Sequence, residues 1–185
     1  MKNERLVRQI MMDNAIRIVA EGGFESATTN AITYSGEDAG EIKMNAVYIY
    51  RLFGCKEQIF DRAFEMVEDG FSDAACGAVD GDFEAFVTAV LRFWQEHPLW
   101  CRYYACYCHS HRLYWLTKAH HEKVFNRIVK RTSGYFTADA PVAVIMHILL
   151  TAIVDVAYQY ATDSAEWNAN TAVSTLCGIA KPYLT

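Results

Sequence analysis

The stretch from Ala46 to Phe60 holds the residues whose types and spacing most clearly suit a chemistry, the binding of nucleic-acid bases and phosphates. Its pattern predicts a short helix, a break at Gly54 and a second helix that begins close to Lys56. When two short helices are joined by a turn, the second can lie in a major groove, where its side chains reach base edges. The stretch is therefore a candidate reader of double-stranded DNA.

We expect phosphate groups to be bound by residues at the starts of the helices that flank the candidate base-contacting helix. Thr28 and Thr29 supply hydroxyl groups at the predicted start of a preceding helix, where backbone N–H groups lack partners. Lys56 adds a positive charge beside the N–H groups of the next helix start. Hydroxyl, amide and ammonium groups all donate to phosphate oxygens, so this set indicates a phosphate-contacting surface.

The elements that must hold these groups are predicted to be helices throughout. Apolar residues recur at helical spacing along most of the chain, and the only prolines are at 98, 141 and 182. Glycines and short polar segments separate the runs. The pattern predicts an all-α protein of about nine helices with no convincing strand, and a loop at residues 76–81. The helices fall near 3–20, 28–32, 45–52, 55 to beyond 71, 82–96, 99–110, 112–131, 140–161 and 167–180.

The composition is that of a well-folded globular protein with an acidic balance. Of 185 residues, 52% are hydrophobic and 21% are charged, and the formal net charge is −5. Residues 1–60 contain seven lysines and arginines against eight aspartates and glutamates, so their net charge is −1. Phosphate binding would therefore depend on where the basic residues are placed, because bulk charge gives no attraction.

The sequence also bears on the compartment in which the protein works. The N-terminal run lacks the apolar core of a signal peptide, and six cysteines without such a signal suggest reduced thiols in the cytoplasm. The longest apolar run, residues 140–161, is long enough to span a membrane. It contains His147 and Asp155 and its flanks lack lysine and arginine, which favours a buried helix with no membrane partner.

A recurring set of residues lies within 7–64, namely Gly23-Phe24, Thr28, Ile32, Ile49 to Phe53, Lys56-Glu57 and Ile59. In these residues the segment resembles the DNA-binding end of the TetR (tetracycline repressor) family of bacterial transcription regulators. The chain length, the predicted helix count and the aromatic C-terminal part agree with the same family. The resemblance implies a homodimer that binds a palindromic operator, acts as a repressor and releases the DNA when a small-molecule effector binds.

The resemblance further implies a division of the chain and roles for single residues. Residues 1–54 would form a three-helix, helix-turn-helix DNA-binding domain, and residues 55–185 a domain that binds the effector and dimerises through about 140–162 and 167–183. The helix that starts near 55 would link the two. Phosphate contacts would come from Tyr50, Lys56, Thr28 and Thr29, and groove contacts from Asn45, Ala46, Tyr48 and Arg51.

One segment departs from the family pattern. The connection between Ile32 and Tyr50 is several residues longer than is usual, and the extra residues fall within 36–43. Together with the near-neutral N-terminal part, this leaves open a second hypothesis, a dimeric ligand-binding or adaptor module whose helix-turn-helix no longer binds DNA. Ile49 and Phe53 are expected to pack a small core rather than to contact DNA.

Two groups of residues are candidates for an effector pocket. The segment from Trp94 to Trp115 is the most aromatic part of the chain, and polar-tipped rings suit a flat or amphipathic ligand. The long apolar helix carries a polar stripe, which could face either the pocket or the dimer partner. A buried Asp155 would need a donor, such as His147 or Tyr158. The pocket candidates are Trp94, Tyr103, Tyr104, Tyr107, His111, Tyr114, His147, Thr151 and Asp155, some of which could instead pack in the core.

A thiol or metal sensor is a third hypothesis. Cys106, Cys108 and the following His109 do not repeat the Cys-x2-4-Cys spacing of zinc sites, and buried small thiols are the commoner role of cysteine. The adjacent His120 and His121 fit a solvated helix face. No Ser-His-Asp, paired-carboxylate or phosphate-loop spacing stands out, so the sequence predicts no enzyme, no cofactor and no metal.

Overall fold

A computed structural model of the chain describes residues 2–34, 44–113, 117–161 and 168–185. Within these ranges every regular element is a helix, apart from an isolated antiparallel bridge between Phe136 and Leu184. The predicted all-α class and helix number are thereby confirmed. The α-helices of the described chain are α1 (Lys2–Ser26), α2 (Thr29–Ile32), α3 (Ala46–Phe53), α4 (Lys56–Gly77), α5 (Phe83–Glu96), α6 (Pro98–Cys108), α7 (Lys118–Thr132), α8 (Val142–Ala161) and α9 (Ala169–Ala180).

Two short N-terminal helices each begin at a residue whose side chain caps the helix. Thr28 caps α2, and its hydroxyl oxygen accepts a hydrogen bond from the N–H of Ala31 at 3.2 Å. Asn45 caps α3, and its side-chain oxygen accepts from the N–H of Val47 at 3.0 Å. These bonds satisfy N–H groups that a helix start otherwise leaves without a partner, so each helix is fixed at a defined residue.

Two glycines turn the chain between the N-terminal helices. Gly54 ends α3 with φ 85°, and α4 begins two residues later at Lys56. Gly23 has φ 74° and kinks α1 close to its end. Both angles lie in the left-handed region, which glycine enters without a steric penalty. The break predicted at Gly54 is confirmed, and helical structure resumes after the Gly23 kink as far as Ser26.

An aromatic core joins α4, α5 and α6. Phe64 of α4 stacks on Tyr107 of α6 with ring centroids 4.0 Å apart, and Trp94 of α5 is completely buried. The hydroxyl of Tyr103 donates to the backbone oxygen of Phe60 at 2.6 Å, so its polar end is satisfied inside the core. One cluster of buried apolar side chains continues from α1 to α9 and holds the N-terminal helices against the rest of the chain.

The two C-terminal helices pack on α5 and leave part of α8 uncovered. Val144 and Ile148 of α8 are 59% and 50% exposed. By length and composition alone, Val142–Tyr160 is the one helix of the described chain that could cross a membrane. Core helices of globular proteins meet the same two criteria, and α8 packs against α5, α6 and α9.

Several sequence predictions differ from the structure. α4 continues to Gly77, through residues predicted to form a loop, because Ala75 and Cys76 complete its buried face. α7 runs from Lys118, and residues 111–113 and 117 are also helical, so the predicted helix start at 112 is not contradicted. Asp155 is exposed, so it does not need the hydrogen-bond donor that a buried position would require. The lengthened connection at 36–43 lies outside the described residues.

Candidate nucleic-acid interface and ligand cavity

One face of α3 is exposed and carries aromatic and apolar side chains. Tyr50 and Val47 are 68% and 67% exposed, and Tyr34, two residues after α2, is exposed as well. Ile49 and Phe53 lie on the opposite face and are buried, which confirms their predicted core role. An exposed tyrosine can donate to a phosphate oxygen, and an exposed apolar side chain can contact the methyl group of thymine.

Arg51 is oriented along α3 by two neighbours. Its Nη2 lies 3.3 Å from Oε1 of Glu4 in α1, and its guanidinium carbon lies 4.8 Å from the ring centroid of Tyr48. Both partners of the ion pair are about half exposed, so the pair contributes little to stability. The guanidinium can therefore exchange Glu4 for a phosphate oxygen or a base edge at low cost.

The remaining predicted phosphate contacts lie at helix starts. Thr28 caps α2 and Thr29 is the first residue of that helix. Lys56 is the first residue of α4, and its Nζ lies 5.9 Å from the ring centroid of Phe60. Cys55, at the cap position of α4, makes no side-chain cap hydrogen bond, so the first N–H groups of α4 remain available to an anion.

A partly buried cluster connects the end of α1, the start of α4 and the end of α6. The guanidinium of Arg112 lies 5.3 Å from the ring centroid of Phe24 and 5.0 Å from that of Phe60. Its Nη1 lies 3.4 Å from Oδ1 of Asp61, and the hydroxyl of Tyr107 donates to the same oxygen at 2.8 Å. Stacking and charge pairing act together here, so the three helix ends are held as one unit.

A cavity of about 840 Å³ lies between α4, α6, α7 and α8. Its volume is within the range of small-molecule sites. Ile148 and Thr151 of α8 belong to its wall and are also exposed, so the cavity opens along the outer side of α8. The apolar part of the wall is formed by Phe71, Ala105, Leu113, Val124, Phe125, Ile128, Ile148, Leu150, Ala152 and Val154.

The cavity wall also carries a buried carboxylate, Glu68 of α4, which is 1% exposed. Its Oε1 accepts a hydrogen bond from Nδ1 of His121 at 2.5 Å. Its Oε2 has no hydrogen-bond partner among the described residues and lies 3.9 Å from Nε2 of His120. Burial raises the pKa of Glu68, and the hydrogen bond from His121 acts in the opposite direction.

No protein-family model matches the chain, and no curated protein matches it in sequence. Several solved structures do match the chain, and each match covers nearly the whole length of both proteins. A TetR family transcription regulator from Marinobacter aquaeolei superposes with a TM-score of 0.73 at 18% identity, covering 99% of this chain and 98% of that one. FadR, a fatty acid degradation regulator from Bacillus halodurans, gives 0.68 at 15% identity, covering 92% and 96%. PfmR, a TetR family transcriptional regulator from Thermus thermophilus, gives 0.64 at 16% identity, covering 92% and 97%.

The chain has the TetR fold. The likeness extends through α9, whereas in the sequence only residues 7–64 carried matching residues and the remainder agreed in length and helix count. The C-terminal helices of this TetR fold therefore keep their arrangement although their residues give no family signal.

Four of the predicted pocket residues line the cavity of this TetR fold, and they are Tyr104, His147, Thr151 and Asp155. Trp94, Tyr103 and Tyr107 do not line it, because their rings are completely buried in the aromatic core. His111 is exposed and is not part of the wall, and Tyr114 lies outside the described residues. Ligand binding by the four wall residues stays a prediction.

The contacts of Glu68 with His120 and His121 were not predicted from the sequence. The assignment of His120 and His121 to a solvated face is wrong, because both are half-buried against α4. A signal was present, since Glu68 follows Phe64 by four residues and precedes Phe71 by three. That spacing puts a carboxylate on the buried stripe of the α4 helix of the TetR fold, where it needs a partner.

The cysteines of this TetR fold are all free thiols. Across the described ranges, no group of three or more histidine, cysteine, aspartate or glutamate side chains is arranged to hold a metal ion. Burial raises the pKa of Cys101 and of Cys108 to about 12. Since the thiolate is the reactive form, these two side chains are poor nucleophiles near neutral pH.

Proposed function

We propose that this chain is a dimeric, ligand-responsive transcription regulator that binds double-stranded DNA through α3 and acts as a repressor. The observation that carries the proposal is the exposed face of α3, where Tyr50 and Val47 project from a helix that Ile49 and Phe53 anchor from behind. Asn45 fixes the start of this helix. An exposed apolar and aromatic face on a short, anchored helix is suited to a major groove.

The contacts with DNA divide into two kinds. Base edges would be met by Asn45, Ala46, Tyr48 and Arg51, the last of which would release Glu4 on binding. Phosphates would be met by Tyr50, Lys56, Thr28 and Thr29. Because residues 1–60 carry a net charge of −1, we expect affinity to depend on these few groups rather than on a general positive field.

The dimer would form through the outer faces of α8 and α9. Val144 and Ile148 give α8 an exposed apolar surface, and α9 exposes the small side chains of Ser174 and Thr175 beside Gly178. Large side chains on one helix and small ones on the other allow close packing with the same pair from a second copy, as in a four-helix bundle. Two-fold symmetry would then set the two α3 helices for half-sites about 34–36 Å apart.

α6 is the element through which an effector would act on the DNA-binding helices. Tyr104 and Cys108 contribute to the cavity wall, whereas Tyr107 turns to α4 and bonds to Asp61. A ligand that displaces α6 would therefore displace the start of α4, which follows α3 directly after Gly54. An effector that prefers the displaced arrangement would shift the population away from the DNA-binding one.

The test begins with DNA selected from a random pool by the purified full-length chain. On the selected duplex, Tyr50→Ala should weaken binding at least about tenfold, because it removes a phosphate contact and exposed ring area. Lys56→Ala should weaken binding to all sequences alike and lower the salt slope by about 1. Matched controls are Arg92→Ala and Lys130→Ala, which change exposed residues outside α3 and outside the proposed dimer interface and should leave affinity unchanged.

Two results would overturn the proposal. One is that no duplex is retained at low salt, which would favour the ligand-binding or adaptor module instead. The other is that the control substitutions weaken binding as much as Tyr50→Ala and Lys56→Ala do. Binding would then be a non-specific electrostatic attraction to DNA rather than recognition through α3. Whether it is a DNA-binding regulator or an adaptor module, we expect the chain to be a binding protein of the cytoplasm rather than an enzyme.

A further inference from the structure

The charge distribution of the cavity wall points to one class of effector, an inference that rests on the proposed ligand-binding function. We infer that the cavity binds cationic amphiphiles, molecules with an apolar body and a protonated amine, and that the Glu68 carboxylate in the wall attracts the ammonium group.

Glu68 has an acceptor that the protein does not use. The side chain is almost completely buried, and His121 satisfies only Oε1. Oε2 has no hydrogen-bond partner among the described residues, exposes almost no area and lies 3.9 Å from Nε2 of His120. A positive charge in the cavity would stabilise this carboxylate through space, without contacting the oxygen directly.

No lysine or arginine lines the described part of the cavity, so an anionic ligand would find no permanent positive charge there. Among the described residues that line the cavity, the acidic side chains are Glu68 and Asp155, and neither basic residue type occurs. Three histidines also line the cavity, His109, His121 and His147, and His121 is already engaged by Glu68. A ligand carboxylate or phosphate would thus enter beside two carboxylates without a permanent positive charge to meet it, whereas an ammonium group would be attracted to both.

The rest of the wall suits the apolar body of such a ligand. Most lining side chains are aliphatic or aromatic, and the volume of about 840 Å³ leaves room for an extended chain or fused rings. Phe71 and Tyr104 both line the cavity, with ring centroids 6.4 Å apart. Aromatic faces near the carboxylate can add cation–π attraction for the same ammonium group.

A purely structural role for the Glu68–His121 pair makes a different prediction. If the pair were self-sufficient, the cavity would accept ligands by their apolar bodies alone, and the charge of the head group would not matter. Ligands of one chain length with different head groups therefore separate the two explanations.

The experiment is isothermal titration calorimetry on the purified full chain without DNA, with decylamine, 1-decanol and decanoate at pH 7.5. Decylamine should bind at least about tenfold more tightly than 1-decanol, and decanoate should bind most weakly. Glu68→Gln should remove the preference for decylamine over 1-decanol. Glu65→Gln is the matched control, because Glu65 lies on the same helix, pairs with Arg62 and does not line the cavity, so the preference should persist.

Several outcomes would overturn the inference. It fails if decanoate or 1-decanol binds the wild-type chain as tightly as decylamine. It also fails if the preference survives Glu68→Gln, or is removed by Asp155→Asn instead. Should Glu68→Gln not fold, the ranking of the three head groups on the wild-type chain still decides. Because no DNA is present, a chain that binds DNA but shows no amine preference contradicts this inference alone, and the reverse result contradicts only the proposed DNA binding.

Discussion

Arg112 is the residue at which the ends of α1, α4 and α6 are joined. Its guanidinium is stacked near Phe24 and Phe60 and paired with Asp61 at 3.4 Å, and it is largely buried. We expect Arg112→Ala to lower the free energy of unfolding by about 2–3 kcal/mol, because Asp61 would be left without its positive partner. Arg112→Lys should cost about 1 kcal/mol, since an ammonium group cannot stack in the same way.

Urea unfolding followed by circular dichroism measures both values. Arg127→Ala is the control, because Arg127 also pairs with an aspartate, Asp73 at 2.8 Å, but both side chains are exposed. That substitution should leave the free energy of unfolding unchanged. Equal effects at the two arginines would show that the cluster around Arg112 does not stabilise the chain.

Single residues also show which part of the candidate site the sequence could predict. The exposure of Tyr50 and the burial of Ile49 and Phe53 follow from helical spacing, which is a local property. The pairing of Glu68 with His121 joins residues 53 positions apart and depends on how α7 packs on α4. Local periodicity places a carboxylate on the buried stripe but does not name its partner.

At the scale of elements, the turn between α3 and α4 depends on Gly54. Its φ of 85° is one that side chains rarely adopt, while the nearest atom to an added Cβ would be Oε1 of Gln58 at an ordinary 3.7 Å. Gly54→Ala should therefore destabilise the chain by about 1–2 kcal/mol through backbone strain alone. Thermal and urea unfolding of the variant measure this cost.

Gly77 provides the matched control for that substitution. It is the last residue of α4, has no positive φ, and an added Cβ would meet nothing within 4 Å. Gly77→Ala should leave stability unchanged or raise it by about 0.5 kcal/mol, because alanine favours helix. If both alanines have the same effect, the strain at Gly54 is not what shapes the turn.

Helix boundaries were predictable where a single residue defines them. Thr28 and Asn45 each cap a helix whose start was predicted close to that residue, since a cap is a local hydrogen bond. The C-terminal end of α4 was predicted too early because its last turn is held by burial of Ala75 and Cys76, which depends on neighbouring helices.

At the scale of the whole molecule, the exposed apolar side of α8 should determine the oligomeric state. We expect Val144→Glu to shift the chain from dimer to monomer, because a buried, unpaired carboxylate on each side of a two-fold interface opposes association. Sedimentation velocity at micromolar concentration measures the shift, and circular dichroism shows whether the helices remain.

The control for oligomeric state is Leu6→Glu on α1. Leu6 is 49% exposed, so a similar apolar area is lost, but it lies outside α8 and α9. That variant should remain dimeric. A wild-type chain that sediments as a monomer, or a dimer that Leu6→Glu disrupts and Val144→Glu does not, would contradict the proposed interface. The division into residues 1–54 and 55–185 stays a prediction at this scale.

Helix α6 faces the ligand cavity on one side and α4 on the other. Tyr104 and Cys108 contribute to the cavity wall while Tyr107 bonds to α4, so cavity and DNA would be linked through one helix. Linkage between two binding equilibria is reciprocal, so an effector that weakens DNA binding by a given factor must itself bind more weakly, by that factor, to DNA-bound protein. Protein that is not bound to DNA would then bind the effector more tightly than operator-bound protein. The number of DNA-free copies would therefore set the effector concentration at which the operator is released.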